Sequence, residues 1–239
     1  RRQRQMCIRD RDIDRLLELT KQVAPAALPM SVSHRTYRRE PSFTVAIARD
    51  PAFNFMYEAN IRYLHHLGEV TYFSPLADTS LPDAGFVYLP GGYPELYLAA
   101  LSANRPMLQS IRRYVENGGK LLAECGGMMY LCDEIRDKNG DVYPMAGVLH
   151  QSATMENMKL RLGYRTLLYN DARLKGHEFH YSRLVEQQDP LPSCAVAYTA
   201  KGVETDTPLY HYKNVWAGYT HLYWADPAGN DWFTKFIIK

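Results

Sequence analysis

Short apolar runs alternate with stretches of helical character from Phe43 onwards, and this alternation is the strongest constraint on the fold. Each apolar run has the length of a buried strand, and consecutive parallel strands need a crossover, which a helix can supply. We therefore predict an α/β fold with a mostly parallel central sheet and helices on both faces. The predicted strands lie at 43–48, 70–73, 85–89 and 120–123, and the predicted helices at 55–67, 102–117 and 128–134.

The two ends of the chain differ from this pattern. The second half is richer in strand signals, at 161–169, 178–185, 195–200 and 215–223, and a last helix is predicted at 231–238. Residues 1–40 begin with crowded arginines and aspartates, include a helical stretch at 13–23, and continue with two prolines and a polar run. We interpret residues 1–40 as the end of a preceding domain and a linker, with a disordered tail as the alternative, and residues 41–239 as one domain.

Composition excludes several classes of protein. The 239 residues are 46% hydrophobic and 23% charged, which suits a soluble globular domain, and the net charge of +2 is too small to indicate nucleic acid or an acidic membrane as a partner. No apolar run approaches the roughly 20 residues of a membrane span, and the Arg-rich first residues, with no apolar stretch behind them, do not have the pattern of a signal peptide. The sequence begins at Arg1 instead of a methionine, which suits a fragment or a processed chain. The cysteines are scattered along the chain and include no C-x-x-C pair: Cys7, Cys125, Cys132 and Cys194. This pattern argues against a disulfide scaffold or a structural zinc site and suits a reducing cytoplasm.

The most informative local pattern is a predicted strand that runs into Ala123-Glu124-Cys125-Gly126-Gly127 and then into a predicted helix. A nucleophile on a sharp strand-to-helix turn needs small residues two positions before and after it, and Ala123 and Gly127 occupy these positions. The turn also places the sulfur at a helix N-terminus, where the dipole favours thiolate, and the N–H of Gly126 where an oxyanion would develop. The alternative is a buried structural cysteine beside a glycine turn, but the context favours Cys125 as a nucleophile.

A pair of glycines follows another predicted strand, in the run Leu89-Pro90-Gly91-Gly92-Tyr93-Pro94-Glu95. Gly91 and Gly92 let the backbone approach a ligand closely and direct N–H groups at it. Because loops at the carboxyl ends of parallel strands share one rim, we expect this run to lie beside Cys125. A simple tight turn is the alternative, and no G-x-x-x-x-G-K-[ST] phosphate loop occurs anywhere in the sequence.

A cysteine nucleophile needs a base, and His221 is our choice among the eight histidines. It ends an apolar run that begins at Trp216, so a strand there would deliver it to the same rim as Cys125. A structural histidine among aromatic residues is the alternative. The others lie in the linker, on a predicted helix surface or elsewhere: His34, His65, His66, His150, His177, His180 and His211.

A second polar cluster, in Gly176-His177-Glu178-Phe179-His180-Tyr181, could suggest a metal site. On a strand, however, His177 and His180 would face opposite sides, and no further ligands are spaced nearby. We therefore predict no metal site and assign the cluster a structural or substrate-contacting role.

Several blocks in order between about residues 43 and 225 resemble a known family. They are Phe53-Asn54-Phe55, the run at 73–78, the run at 89–96, Ala123-Glu-Cys-Gly-Gly-Met-Met-Tyr-Leu131, Gly163-Tyr164-Arg165 and Gly176-His-Glu-Phe-His-Tyr-Ser182. Together they resemble the C-terminal class I (triad-type) glutamine amidotransferase domain of cobyrinic acid a,c-diamide synthases, of the kind shared with cobyric acid synthase.

This resemblance implies a division of labour. An N-terminal P-loop ATPase domain would activate substrate carboxylates with ATP and magnesium, while the C-terminal domain hydrolyses glutamine and passes ammonia across. The partners would be glutamine and a corrin precursor, cobyrinate or hydrogenobyrinate, amidated on its a and c side chains in the cytoplasm. No cofactor is then expected in this chain itself, and homodimer formation is left open. Cys125 matches the family's nucleophile and His221 its activating histidine.

The sequence departs from many triad-type glutaminases at one position. Those enzymes carry His-x-Glu, in which the glutamate orients the histidine, whereas this chain has His221-Leu222-Tyr223. The orienting carboxylate must come from elsewhere or be absent, and Glu178 is the candidate that the sequence suggests.

Three other functions remain open at the level of sequence. The chain could be a glutaminase domain that serves another acceptor, such as a different tetrapyrrole or a cell-wall lipid. It could be a cysteine-elbow hydrolase or stress protein of the same fold. It could also be a non-catalytic binding module that retains the fold.

Overall fold

The computed structural model describes residues 12–21, 43–188 and 190–238, which fall into two compact units. The first contains helix α1 (Ile13–Lys21), a short exposed helix within the helical stretch predicted at 13–23, whose last two residues lie outside the described ranges. Its neighbours in the sequence, including Cys7 and His34, lie outside the described residues. All further elements belong to the second unit, and no helix among the described residues is long and apolar enough to cross a membrane.

The central sheet has six strands, and the alternation of strand and helix produces it as predicted. The strand order is β15 (Leu209–Tyr212), β16 (Val215–Gly218), β6 (Lys120–Glu124), β4 (Phe86–Leu89), β1 (Thr44–Ala48) and β3 (Glu69–Phe73). Every neighbouring pair is parallel except β15 and β16. The sheet is therefore mostly parallel, and the carboxyl ends of β4 and β6 lie side by side.

Both faces of this sheet are covered. One face packs its small and branched residues, such as Ala46, Val87 and Leu121, into the main core with buried residues of α4 (Arg105–Glu116) and α5 (Gly126–Leu131). On the other face the ring of Phe86 meets Phe233 at 5.2 Å, and Phe233 meets Tyr63 of α2 (Glu58–Leu67) at 5.7 Å. The remaining helices are α3 (Leu98–Ala103), α6 (Pro227–Trp232), a 3-10 turn (Pro94–Leu96) and a π-helical turn (Phe233–Ile238).

A second, antiparallel sheet carries part of the site. Its order is β14 (Glu204–Thr205), β13 (Val196–Thr199), β10 (Arg161–Tyr169), β11 (Ala172–His180) and β17 (His221–Tyr223). A four-stranded sheet is formed by β12 (Arg183–Leu184), β9 (Ser152–Thr154), β7 (Glu134–Arg136) and β8 (Val142–Pro144), and a two-stranded ribbon by β2 (Phe53–Phe55) and β5 (Gly91–Gly92).

Several predicted boundaries were wrong, and each has a local cause. The helix predicted at 55–67 begins only at Glu58, because Phe53–Phe55 pairs with the glycine pair. The helix predicted at 102–117 is two helices, since the side chain of Asn104 accepts a hydrogen bond from the Met107 N–H at 3.5 Å and caps the second one. Ser102, at which the predicted helix begins, is instead a buried residue inside α3.

The single strand predicted at 215–223 is also two strands, and this difference matters for function. The chain leaves the central sheet at Gly218 and enters the antiparallel sheet at His221. His221 therefore approaches the rim from a different sheet than the one that carries Cys125.

Candidate active site

The turn after β6 holds Cys125 in a strained conformation. Its backbone has φ 48° and ψ −107°, a region that non-glycine residues rarely adopt and that is concentrated at functional sites. Its N–H donates to the carbonyl oxygen of Gly218 at 2.7 Å, and its own carbonyl accepts from the N–H of Met129 at 3.0 Å. The turn is thus fixed on one side to β16 and on the other to α5, which presents the sulfur at the end of the strand.

The two glycines after the cysteine are required by close contacts. A Cβ on Gly127 would lie 2.1 Å from the carbonyl oxygen of Leu89, and a Cβ on Gly126 would lie 2.7 Å from Cδ of Pro94. The small residue two positions after Cys125 was predicted, but the nearest obstacle is the backbone of the neighbouring strand β4, not Ala123.

Cys125 and His221 line the same cavity, of about 290 Å³. The structure thus brings together the two residues that the sequence analysis selected, although they come from different sheets. Apolar and polar neighbours complete the cavity wall: Asn54, Phe55, Gly92, Tyr93, His177 and Phe179. The carbonyl oxygen of Phe179 lies 4.0 Å from the Cys125 sulfur.

His221 is buried and held from several sides. Strand β17 pairs with β11 so that His221 lies opposite His177, and their rings stack with centroids 5.0 Å apart. The ring of Phe55 meets it edge-on at 4.5 Å. On the far side of β17, the side-chain amide of Asn60 donates to the carbonyl of Leu222 at 2.8 Å. These contacts leave the imidazole little freedom to leave the cavity.

The electrostatics of the pair differ from the prediction for a helix N-terminus. Burial raises the pKa of the Cys125 thiol to about 12, with the nearby carboxylate of Glu95 adding to the effect and the N–H of Gly126 opposing it. Burial also lowers the pKa of His221 to about 3, and His177 and His180 lower it further. The resting site therefore contains a neutral thiol and a neutral imidazole, a pair in which the histidine can accept the sulfur's proton.

Among the described residues, the carboxylate nearest His221 is that of Glu124, which immediately precedes Cys125. Its Oε2 lies 3.9 Å from Nδ1 of His221. The same carboxylate accepts hydrogen bonds from the Tyr88 hydroxyl at 2.7 Å and the Leu222 N–H at 3.1 Å. Glu124 was not among the residues predicted from the sequence, although a charged residue that ends a buried apolar strand is a signal in itself, because such a residue needs partners.

Glu178, the sequence-based candidate for this role, lies elsewhere. It follows His177 on β11, so its side chain points to the opposite face of the sheet from His177 and His221. There it forms a buried ion pair with Arg165 at 2.6 Å and lines a second cavity, also of about 290 Å³, together with His180, Ser182 and Tyr219. Glu178 and His221 are therefore not in contact in this structure, because β11 presents alternate residues to opposite faces.

This placement predicts what Glu178→Gln does. Removing one charge of a buried pair leaves Arg165 unpaired, which typically costs about 3 kcal/mol or more. For a domain of this size we expect Tm to fall by roughly 10 °C in a thermal melt, while the glutamine hydrolysis that the family resemblance implies stays at its wild-type rate.

Asp206→Asn is the matched control for this substitution. It breaks the ion pair of Arg161 with Asp206, whose side chains are 46% and 71% exposed, so the cost should stay below about 1 kcal/mol. A Glu178→Gln protein with unchanged Tm and a large loss of activity would contradict the placement of Glu178 away from the site.

The glycines that were predicted to surround the reacting atoms differ in their positions. Gly92 lines the cavity, and the N–H of Gly126 donates toward the Cys125 sulfur. Gly91 instead underlies His221, since a Cβ on it would lie 2.1 Å from Cε1 of that ring. Oxyanion binding by Gly92 and Gly126 remains a prediction.

His177 and His180 lie apart, as alternation along β11 requires. His177 accepts or donates a hydrogen bond with the Tyr57 hydroxyl at 2.5 Å and stacks on His221. His180 stacks on Tyr219 with centroids 3.8 Å apart, beside the second cavity. Within the described ranges no group of three or more histidine, cysteine, aspartate or glutamate side chains is arranged to hold a metal ion.

Comparison with known proteins identifies relatives of this chain. Residues 44–229 match the model of the CobB/CobQ-like glutamine amidotransferase domain. The chain is 37% identical over 221 residues to hydrogenobyrinate a,c-diamide synthase of Stutzerimonas stutzeri, which covers 90% of the chain and 51% of the relative. It is 41% identical over 185 residues to cobyrinate a,c-diamide synthase of Fusobacterium nucleatum, which covers 75% of the chain and 41% of the relative. The chain thus spans about half the length of the curated relatives it matches.

Solved structures show the same fold. PurLQS from Thermotoga maritima superposes with a TM-score of 0.52 at 17% identity, covering 75% of this chain and 87% of that one. A glutamine amidotransferase from Thermotoga maritima gives a TM-score of 0.51 at 13% identity, covering 82% of both chains. At this level of identity the likeness concerns the fold alone.

Proposed function

The chain belongs to the CobB/CobQ-like glutamine amidotransferase domains of the cobyrinate a,c-diamide synthase family, and on this premise we propose that it supplies ammonia for amidation of cobyrinate or hydrogenobyrinate. The observation that carries the proposal is the shared cavity of Cys125 and His221, with the cysteine held at a strained turn. Residues 1–40 would be the end of an ATPase domain and a linker, and residues 41–239 the glutaminase domain. The unpaired thiols of Cys125, Cys132 and Cys194 support a cytoplasmic location.

The proposed reaction begins with transfer of the Cys125 proton to His221. The sulfur attacks the side-chain carbonyl carbon of glutamine, and the carbonyl electron pair moves to oxygen. That oxygen lies near the N–H groups of Gly92 and Gly126, where one donor is commonly worth about 3 kcal/mol. The C–N bond then breaks as His221 returns the proton to the departing ammonia, which leaves a thioester on Cys125. Water, deprotonated by His221, hydrolyses the thioester to glutamate.

The acceptor is proposed from the relatives. Those named above are diamide synthases of cobyrinate or hydrogenobyrinate, so a corrin precursor activated with ATP and magnesium is the acceptor that family membership supports best. Ammonia would pass from the cavity to this activated carboxylate.

Assays of the full-length protein with glutamine and ATP test the proposal directly. We expect glutamate release together with the a,c-diamide of cobyrinate or hydrogenobyrinate, identified by chromatography and mass. A glutamine-analogue diazoketone should label Cys125. Glutamate release without amidation of either corrin would indicate another acceptor, such as nickel sirohydrochlorin, whereas no glutamate and no label would indicate a non-catalytic module.

A separate prediction concerns nucleotide binding by the 239-residue chain. Because its sequence contains no phosphate-cradling loop, we expect no binding of magnesium-ATP at micromolar concentration in calorimetry. The full-length protein is the control and should bind. Micromolar binding by the chain itself would contradict the proposed division of labour.

A further inference from the structure

One ring nitrogen of the His221 imidazole takes no part in the proposed reaction. Nδ1 is buried and has no hydrogen-bond partner among the described residues. It points toward Oε2 of Glu124, 3.9 Å away, so Nε2 is the nitrogen left for the sulfur's proton. A base in such a site is usually oriented by a third group on its far nitrogen.

Glu124 is built into a position from which it can act as that group. It is 1% exposed and lies at the end of β6, on the face of the sheet that carries Tyr88. The Tyr88 hydroxyl and the Leu222 N–H, one residue after His221, hold both carboxylate oxygens. One side chain thus connects the nucleophile's own strand to the strand that carries the base.

We propose that Glu124 is the positioning residue that orients His221 and stabilises its imidazolium form during glutamine hydrolysis. This inference rests on the proposed function. In the resting site, the distance from Nδ1 of His221 to Oε2 of Glu124 is too long for a hydrogen bond. When His221 takes the proton from Cys125, its Nδ1–H faces the carboxylate, and the attraction between imidazolium and carboxylate brings the two groups within hydrogen-bonding distance. Glu124 does not line the cavity, so it acts through His221 and not on glutamine.

The ionisation of the surrounding groups gives a distinctive pH dependence. Burial raises the pKa of Glu124 to about 8, opposed by its hydrogen bonds from Tyr88 and Leu222. The groups that interact with Glu124 titrate elsewhere: the pKa of Tyr57 and that of Cys125 are raised to about 12, that of Tyr88 is raised well above its usual 10, and that of His221 is lowered. The pKa values of His177 and His180, which act on His221, are also lowered. Since only ionised Glu124 stabilises imidazolium, kcat for glutamine hydrolysis should rise with pH through about 8.

Glu124→Gln separates positioning from a structural role. Glutamine can still accept from the Leu222 N–H and hydrogen-bond the Tyr88 hydroxyl, so a purely structural residue would tolerate the change. Loss of the carboxylate from a serine protease triad costs about 10⁴-fold in kcat, and the longer separation here leads us to expect about 10²-fold, with little change in KM. The rise of kcat near pH 8 should also disappear in this variant. Wild-type kcat with the same pH profile in Glu124→Gln would overturn the proposal.

Tyr88→Phe provides an independent test if Glu124→Gln does not fold. Because the Tyr88 hydrogen bond lowers the pKa of Glu124, its removal should move the rise of kcat to higher pH. An unshifted profile would overturn the proposal. All assays use the full-length protein with wild type in parallel, so absence of glutamine hydrolysis in wild type would refute the proposed function instead of the role of Glu124.

Discussion

Replacing Cys125 by serine is expected to abolish glutamine-dependent amidation by the full-length protein while leaving ammonia-dependent amidation intact. Loss of the nucleophile in a protease triad lowers kcat by on the order of 10⁶-fold, which would place the residual rate below the detection of a routine assay. Ammonium salts bypass the glutaminase site, so the acceptor reaction should continue. The measurement compares product formed with glutamine and with ammonium chloride.

Cys132→Ser is the matched control for this substitution. Cys132 is a second fully buried cysteine, at the end of the same short helix, and its thiol lies 3.6 Å from the carbonyl of Met128, an acceptor that a serine hydroxyl can also use. It does not line the cavity, so glutamine use should persist in this variant. Cys7→Ser and Cys194→Ser should behave in the same way. Undiminished use of glutamine by Cys125→Ser would refute the central assignment.

The fold was largely predictable because its signals are local. A short apolar run predicts each parallel strand, and small residues on both sides of Cys125 predict the turn. The break at 219–220 was not predictable in this way. It exists because β17 pairs with β11, a contact between segments about forty residues apart that no local pattern encodes.

The residues of the candidate site differ in the same way: some could be predicted from a local pattern and others could not. Cys125 could be selected because its strand-to-helix turn is a local pattern, and His221 because it ends an apolar run, although the chain changes sheets within that run. The carboxylate proposed to orient His221 was overlooked, since the expected His-x-Glu spacing directed attention downstream of His221 whereas the return of β17 brings His221 to Glu124. The protonation state of the thiol also depends on burial by the whole domain, which outweighs the local effect of the helix N-terminus.

The second large effect is expected from Gly91→Ala, which adds a single methyl group outside the reacting residues. That Cβ would lie 2.1 Å from Cε1 and 2.9 Å from Nδ1 of His221, separations that real side chains do not tolerate. The imidazole ring of His221 has little room to move, because His177 stacks on it and Phe55 packs against its edge. Either His221 rotates or β5 shifts, and both move Nε2 away from the Cys125 sulfur. A displacement of about 1 Å in an active site can cost 10²-fold, so we expect kcat for glutamine hydrolysis to fall at least that far.

The control for Gly91→Ala is the same substitution at Gly85, just before β4. A Cβ there would meet its nearest atom, the carbonyl oxygen of Thr44, at 3.6 Å, which is an ordinary van der Waals contact. Gly85→Ala should therefore keep both Tm and kcat close to wild type. Thermal melts of both variants separate displacement of His221 from unfolding, because the Gly91→Ala protein should lose far more activity than its folded fraction explains. A Gly91→Ala enzyme with kcat within about twofold of wild type would show that His221 does not need the position in which the structure holds it.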